Sequence, residues 1–310
     1  MRRAFVALAV LGSLAACAPH ESIRRESPVT ATETEHAVSE YVGPKRRIGV
    51  VDFENKTKYG QRLGDVASDI LVTELTKTGR FVVVERDKLD KIMAEQKLQS
   101  SGAIDPRTAV KMGKILGLNA IVTGAVSEFG VKTEGSDYLL VQSKRETAEA
   151  TVDVRVVDAE TGQVLLADSG QGVAKSGKGS FLGLGTKGGY DETLEGKALR
   201  AAIVQFTDNI VSQLSKKPWS CRIAGVNGDT VYLNAGPTMG VNKGLKLDCF
   251  HMGREITDPT TGLVIGNEET PIGRLEVTGA LGDSGDGATG RFISQPGPNP
   301  EPKDICRLKD

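Results

Sequence analysis

The sequence predicts an α/β (α+β) domain followed by a small all-β barrel domain. Three observations carry that prediction. Between Arg47 and Val84 a continuous apolar run, an amphipathic stretch and a second apolar run follow one another, the pattern of strand, helix and strand in a sheet covered on both faces. An apolar stripe at helical spacing then runs from about Asp191 to Ser215. From Trp219 onward, short strand-like runs alternate with glycine turns.

A chain of 310 residues is long enough for two folded units and an unstructured segment. Its 39 basic and 40 acidic side chains give a formal charge of −1, so the molecule lacks the single-sign field that nucleic acid binding uses. No apolar run approaches the ~20 residues of a transmembrane helix. The 37 glycines forecast many turns, and with three histidines there are few candidates for acid–base or metal chemistry.

Arg2 and Arg3 precede an apolar Ala4–Leu14 stretch too short to span a bilayer, and Leu14-Ala15-Ala16-Cys17 closes it. That ending resembles the lipobox of bacterial lipoproteins. The resemblance implies that residues 1–17 are a signal peptide ending in the lipobox, that the thiol of Cys17 receives a diacylglycerol, and that its new amino group is acylated. Two or more acyl chains anchor stably where one does not. Residue 18 is Ala where inner-membrane retention usually has Asp, which by the sorting rule of that family implies the outer membrane, with the protein facing the periplasm. Residues 18–45 are rich in Ser, Thr, Glu and Pro and read as a flexible tether, in which His20 and His36 have no assigned role.

The first folded domain is expected over residues 46–217. Arg47 to Phe53 reads as a strand buried on both faces; Leu63, Val66, Ala67, Ile70, Leu71 and Leu75 mark a helix that Gly79 ends, and Phe81 to Val84 is again a strand. Asp87 caps a segment through Leu89, Ile92 and Met93, and Asp105-Pro106 opens another through Val110, Met112, Ile115 and Leu116. Asn119 to Val126 returns to strand. Val152 to Asp158, a turn at Glu160 to Gln163 and Val164 to Ala167 read as a β-hairpin.

Five blocks in this region, Val50-Val-Asp-Phe-Glu-Asn-Lys56, Leu63-Gly-Asp-Val-Ala-Ser-Asp69, Gly79-Arg-Phe-Val-Val-Val-Glu-Arg86, Ala120-Ile-Val-Thr-Gly124 and Val154-Arg-Val-Val-Asp-Ala-Glu-Thr-Gly162, resemble the CsgG family. Its type member is the outer-membrane curli secretion channel, and it also resembles periplasmic activators of the LpoB type. The resemblance implies a non-enzymatic lipoprotein that forms a homo-oligomer at the envelope and serves protein export or assembly. In channel members two hairpins per protomer build a shared transmembrane β-barrel, and a loop after the first strand narrows the lumen. Asn55, Lys56 and Tyr59 occupy the corresponding loop here, where a solvated turn is the alternative.

A lipid-facing strand needs about 9 to 11 residues with every second one apolar. Neither parity of residues 129–150 is apolar throughout, and residues 168–190 carry Lys175, Lys178 and Lys187 with Phe181, Leu182 and Leu184 as an apolar tip. A pore and a lipid-tethered periplasmic scaffold therefore both stay open. Gly172 to Lys178 fits a P-loop except that Gly179 replaces its Ser or Thr and glycine, not a helix, follows, so no nucleotide or other cofactor is expected.

The second domain is expected over residues 219–310. Asn227-Gly228 is a hairpin turn between Cys221–Gly225 and Thr230–Asn234, and Gly240–Leu247, Ile272–Val277 and Pro302–Leu308 supply further strands around a turn at Asp258–Gly262. The region resembles the C-terminal domain of the flagellar protein FlgT, which implies protein docking. Cys221, Cys249 and Cys306 alternate with apolar neighbours and so face a core. The first and last strands of a barrel meet on closure, so Cys221 and Cys306 are the expected disulfide, with Cys249 free. Without CxxC spacing the three cysteines do not suggest a metal site. No Ser–His, Cys–His or paired-carboxylate setting points to an enzyme. Asp52, Glu54, Asp65 and Asp69 are most simply caps and dipole partners.

Overall fold

The computed structural model describes residues 29–30, 43–60, 62–84, 89, 106–138, 141–181, 184–185, 193–260 and 264–308. Cys17 and the signal segment, most of the 18–45 stretch, the Asp87–Met93 segment apart from Leu89, and Leu182 lie outside these residues.

A mixed sheet with few helices occupies the first part. Strand β2 (Arg46–Val50) runs parallel to β4 (Phe81–Val84) on one side and to β5 (Ala120–Tyr138) on the other. From β5 the sheet continues antiparallel through β6 (Val141–Asp158) and β7 (Val164–Phe181). The short β3 (Glu54–Asn55) pairs with β5, β8 (Leu184–Gly185) folds back on β7, and β1 (Val29–Thr30) lies parallel to β7 at Gly172 and Val173. This last pairing departs from the sequence reading, in which 18–45 is unstructured. The chain also has a fixed seat at Lys45, whose N–H donates to the Met239 carbonyl at 2.7 Å.

The apolar run of β2 is buried because helices cover both faces. Ile48 and Val50 pack with helix α1 (Leu63–Lys77) and helix α3 (Leu194–Ser215), while Val51, Leu89 and Leu118 pack with helix α2 (Pro106–Leu116) on the other side. Of the residues the periodicity selects, Ala67, Ile70, Leu71 and Leu75 of α1 and Leu199, Ile203, Phe206 and Ile210 of α3 are buried, whereas Val66 of α1 and Ile115 of α2 face outward and are exposed. Pro106 opens α2, Gly79 follows α1 with φ +67°, and Thr193 Oγ1 caps α3 by accepting from Gly196 N–H at 3.2 Å. The P-loop-like run lies within β7. Its first glycine, Gly172, and Gly170 two residues before it serve packing: a Cβ on Gly170 or Gly172 would stand 2.0 Å from the carbonyl oxygen of Ala202 or Ala198, so only glycine lets α3 approach this close.

The second sheet contains β9 (Ser220–Asn227), β10 (Thr230–Leu233), β11 (Lys246–Thr257), β12 (Val264–Leu281), β13 (Gly287–Ser294) and β14 (Ile305–Leu308), closed in the order β10-β13-β12-β11-β14-β9. Asn227 pairs with Thr230 around the predicted turn, where Gly228 has φ +57°. Ile223, Leu233, Leu247, Leu275 and Val277 fill its interior. Two predicted strands are shorter than expected. Gly240 and Gly244 adopt φ +80° and +91°, so residues 240–245 turn before β11 begins; Lys303 has φ +84°, so β14 begins only at Ile305.

Candidate functional site

The loop after β3 is built around one side chain. Asn55 Oδ1 accepts from Thr57 N–H at 3.0 Å and from Thr57 Oγ1 at 2.7 Å, while its Nδ2 donates to the Tyr59 and Gly60 carbonyls. This is the Asx-turn chemistry that tightens a loop without help from the rest of the fold. Tyr59 is 40% exposed and sets its ring 4.7 Å from that of Phe129 on β5, with its hydroxyl 3.5 Å from Glu195 Oε1. Lys56 instead faces Glu54 at 3.8 Å on the surface. The structure therefore brings Asn55 and Tyr59 together and leaves Lys56 outside their contact.

From Phe129 and Ala150 outward, β5, β6 and β7 run beyond the body of the mixed sheet. Phe129, Val131, Ala148, Ala150 and Ala174 still pack with the helices. In the next register, Thr133 stands opposite Glu146 and Glu146 opposite Ser176; farther out Lys144 is opposite Lys178. On the other parity Lys132 and Glu134 form an ion pair at 2.7 Å, which raises the lysine pKa and lowers that of the carboxyl. Both parities thus carry charge. Beyond Val126, β5 pairs with β6 alone among the described residues. The eight residues from Val131 to Tyr138, seven steps along the strand, extend it by ~24 Å. Phe181 pairs with Leu184 at the far end, which places two of the three predicted tip residues side by side.

The two sheets meet around a cavity of about 230 Å³ lined in part by Arg46, Arg47, Asn119, Lys217 and Cys221. Arg47 N–H donates to Asn119 Oδ1 at 2.9 Å, and its guanidinium donates to the Asn234 carbonyl at 3.1 Å. Burial pulls the Arg47 pKa down, against the attraction of Asp286 and Cys221. Trp219 Nε1 donates to the Lys45 carbonyl at 2.9 Å, and Lys217 pairs with buried Asp158. Val82 of β4 packs directly on the core of the closed sheet.

The expected Cys221–Cys306 disulfide is corrected by the structure: Cys306 is bonded to Cys249, and Cys221 is free and buried. The first and last strands do meet, and Cys306 stands in register with Cys221 on β9, but it is equally in register with Cys249 on β11. The hydrogen-bond alternation separates the two positions. Ile223 N–H donates to the Asp304 carbonyl and Leu308 N–H to the Trp219 carbonyl, two residues either side of the Cys221–Cys306 pair, making that pair a hydrogen-bonded position. Cys249 therefore faces Cys306 across the narrow position, where the Cα atoms are 4.0 Å apart. Strand adjacency was readable from the sequence order; the second neighbour of β14 was not. Among the described residues no group of three or more His, Cys, Asp or Glu side chains is placed to hold a metal.

A family model described as curli production assembly/transport component CsgG matches residues 31–236. Over 227 residues the chain is 29% identical to a protein of Neisseria meningitidis serogroup B named "Putative lipoprotein NMB1126/NMB1164", covering 70% of this chain and 96% of that one. Similar solved structures include lipoprotein GNA1162 from Neisseria meningitidis, with a TM-score of 0.34 and 15% identity over 56% of this chain and 99% of that chain. A PelC dodecamer from Paraburkholderia phytofirmans has a TM-score of 0.32 and 16% identity, over 56% of this chain and 92% of that one. The C-terminal domain of LpoB from Salmonella enterica has a TM-score of 0.28 and 14% identity, over 42% and 84%.

Proposed function

Because the chain belongs to the CsgG family, we propose that it is a non-enzymatic outer-membrane lipoprotein, held by acylated Cys17 and facing the periplasm. Its copies form a homo-oligomer that serves protein export or assembly at the envelope. Residues 46–217 supply the assembling domain, and residues 219–310 a docking domain for an envelope protein.

The observation that supports this reading is the outer part of the β5–β7 sheet. It runs past its helices with one long edge of β5 unpaired among the described residues, and such edges are templates for another chain. Charge on both parities suits a water-facing protein contact, since Lys or Arg at the bilayer midplane costs about 2–4 kcal/mol. A curli-type pore is the second reading, favoured by the strand lengths: β5 alone has 19 residues, more than its body pairing uses.

The test compares the full-length lipoprotein in detergent with a Cys17→Ala form lacking the signal, measuring particle mass and planar-bilayer conductance. A multi-copy particle without steady conductance is expected. Steady conductance from the lipidated form would establish the pore, and monomers from both forms would overturn the oligomer.

A further inference from the structure

We propose that Cys306 is shared by two mutually exclusive disulfides, and that Cys221 is a resolving thiol that displaces Cys249 from it. Cys221, Cys306 and Cys249 stand in one row across β9, β14 and β11, in register on both sides of Cys306. Residues directly opposite one another across strands project from the same face. All three are at most 5% exposed and belong to one core cluster. The Cys221–Cys306 position is hydrogen-bonded, for which the Cα separation of about 5.5 Å lies inside the Cα range of a disulfide, while Cβ atoms about 5.5 Å apart must draw about 1 Å closer for the bond to form. Cys221 and Cys249 are two strands apart, roughly 9.5 Å, and cannot be bridged.

The exchange is balanced within the chain. Cys221 Sγ gives up its proton and attacks Cys306 Sγ; the Cys306–Cys249 bond breaks, and Cys249 Sγ leaves as a thiolate that takes up a proton. One disulfide and one thiol exist before and after, so neither oxidant nor reductant is consumed. Burial keeps the Cys221 thiol protonated, while Arg47 nearby favours the thiolate, so exchange depends on opening at the junction cavity that both residues line. The two states tie different seams of the closed sheet. The present bridge joins β14 to β11, whose outer half forms the exposed arm with β12. The alternative joins β14 to β9, the strand that enters directly from Trp219 at the junction.

The full chain and its Cys249→Ser, Cys221→Ser and Cys306→Ser variants would be isolated without reductant, free thiols alkylated in denaturant, and disulfide peptides mapped by mass spectrometry. Cys249→Ser should yield a Cys221–Cys306 peptide, Cys221→Ser should keep Cys249–Cys306, and Cys306→Ser should leave both remaining thiols alkylated. A folded Cys249→Ser protein with Cys221 and Cys306 both alkylated would overturn the proposal. Should that variant not fold, the wild type is held in urea below its unfolding transition and quenched with acid. Appearance of the Cys221–Cys306 peptide, with matching loss of Cys249–Cys306, supports exchange, and an unchanged map sinks it.

Discussion

Gly172 of β7 lies so close to Ala198 of α3 that a Cβ on the glycine would stand 2.0 Å from the alanine carbonyl oxygen and 2.5 Å from the amide of Ala202. The helix rests on strand backbone here, and its position over the sheet depends on the missing side chain. Gly172→Val should therefore cost about 2 kcal/mol or more, because neither backbone can give way without displacing the core around Phe206. Gly130→Ala, on β5, meets nothing within 4 Å and should stay within about 0.5 kcal/mol of wild type. Urea unfolding of both variants checks the contrast.

Asp158 ends β6 at 1% exposure, paired with Lys217 and accepting from the N–H groups of Glu160 at 2.7 Å and Thr161 at 3.0 Å. Asp158→Ala strips the turn of its acceptor and leaves Lys217 without its carboxylate, and about 3 kcal/mol of destabilisation is expected. Asp158→Asn keeps an acceptor oxygen for the turn and should lose less. Thermal unfolding of the two variants would separate turn from ion pair, and equal losses would assign the effect to charge alone.

Burial pushes the Cys221 thiol up to about 12 from its ordinary value of 9.0, with the charge of Arg47 acting in the opposite direction. The folded chain thus holds a proton that the unfolded chain releases at lower pH. This contribution to stability is whole below about pH 9 and is lost as the pH rises toward about 12. Cys221→Ala should flatten the alkaline side of the stability profile in urea titrations run from pH 8 to pH 11 and leave the acid side unchanged.

Asn55→Ala removes the acceptor for Thr57 and the donor to Tyr59 and Gly60, at a cost of about 1–2 kcal/mol. Amides of residues 56–60 should exchange faster with deuterium, and Tyr59 should leave the Phe129 ring. Exchange no faster than wild type would show that the ring contact alone holds the loop.

Several of these features were legible in the residues. The apolar run at Ile48–Val50, the stripe of α3, the Asn227-Gly228 turn and the Pro106 helix start each follow from a period or a turn residue within a few positions. The outer halves of β5, β6 and β7 were not, since beyond Val131, Ala148 and Ala174 no apolar alternation marks them and pairing between neighbouring strands maintains them. The Val29–Thr30 strand was missed for the same reason, because two residues carry no period. Within the loop, Asn55 and Tyr59 could be located, yet only folding shows that Asn55 is consumed by its own turn while Tyr59 reaches Phe129.

By itself the sequence determined the local elements, the order in which they follow, the inward alternation of the three cysteines, and the family to which the chain belongs. Tertiary structure alone decided which cysteine Cys306 takes, why Gly170 and Gly172 must be glycine, and how far the β5–β7 sheet outruns its helices. The physical reason is common to all three. Each depends on which strand or helix lies alongside and on which way its backbone N–H and C=O groups point, and that is set by contacts between residues far apart in the chain.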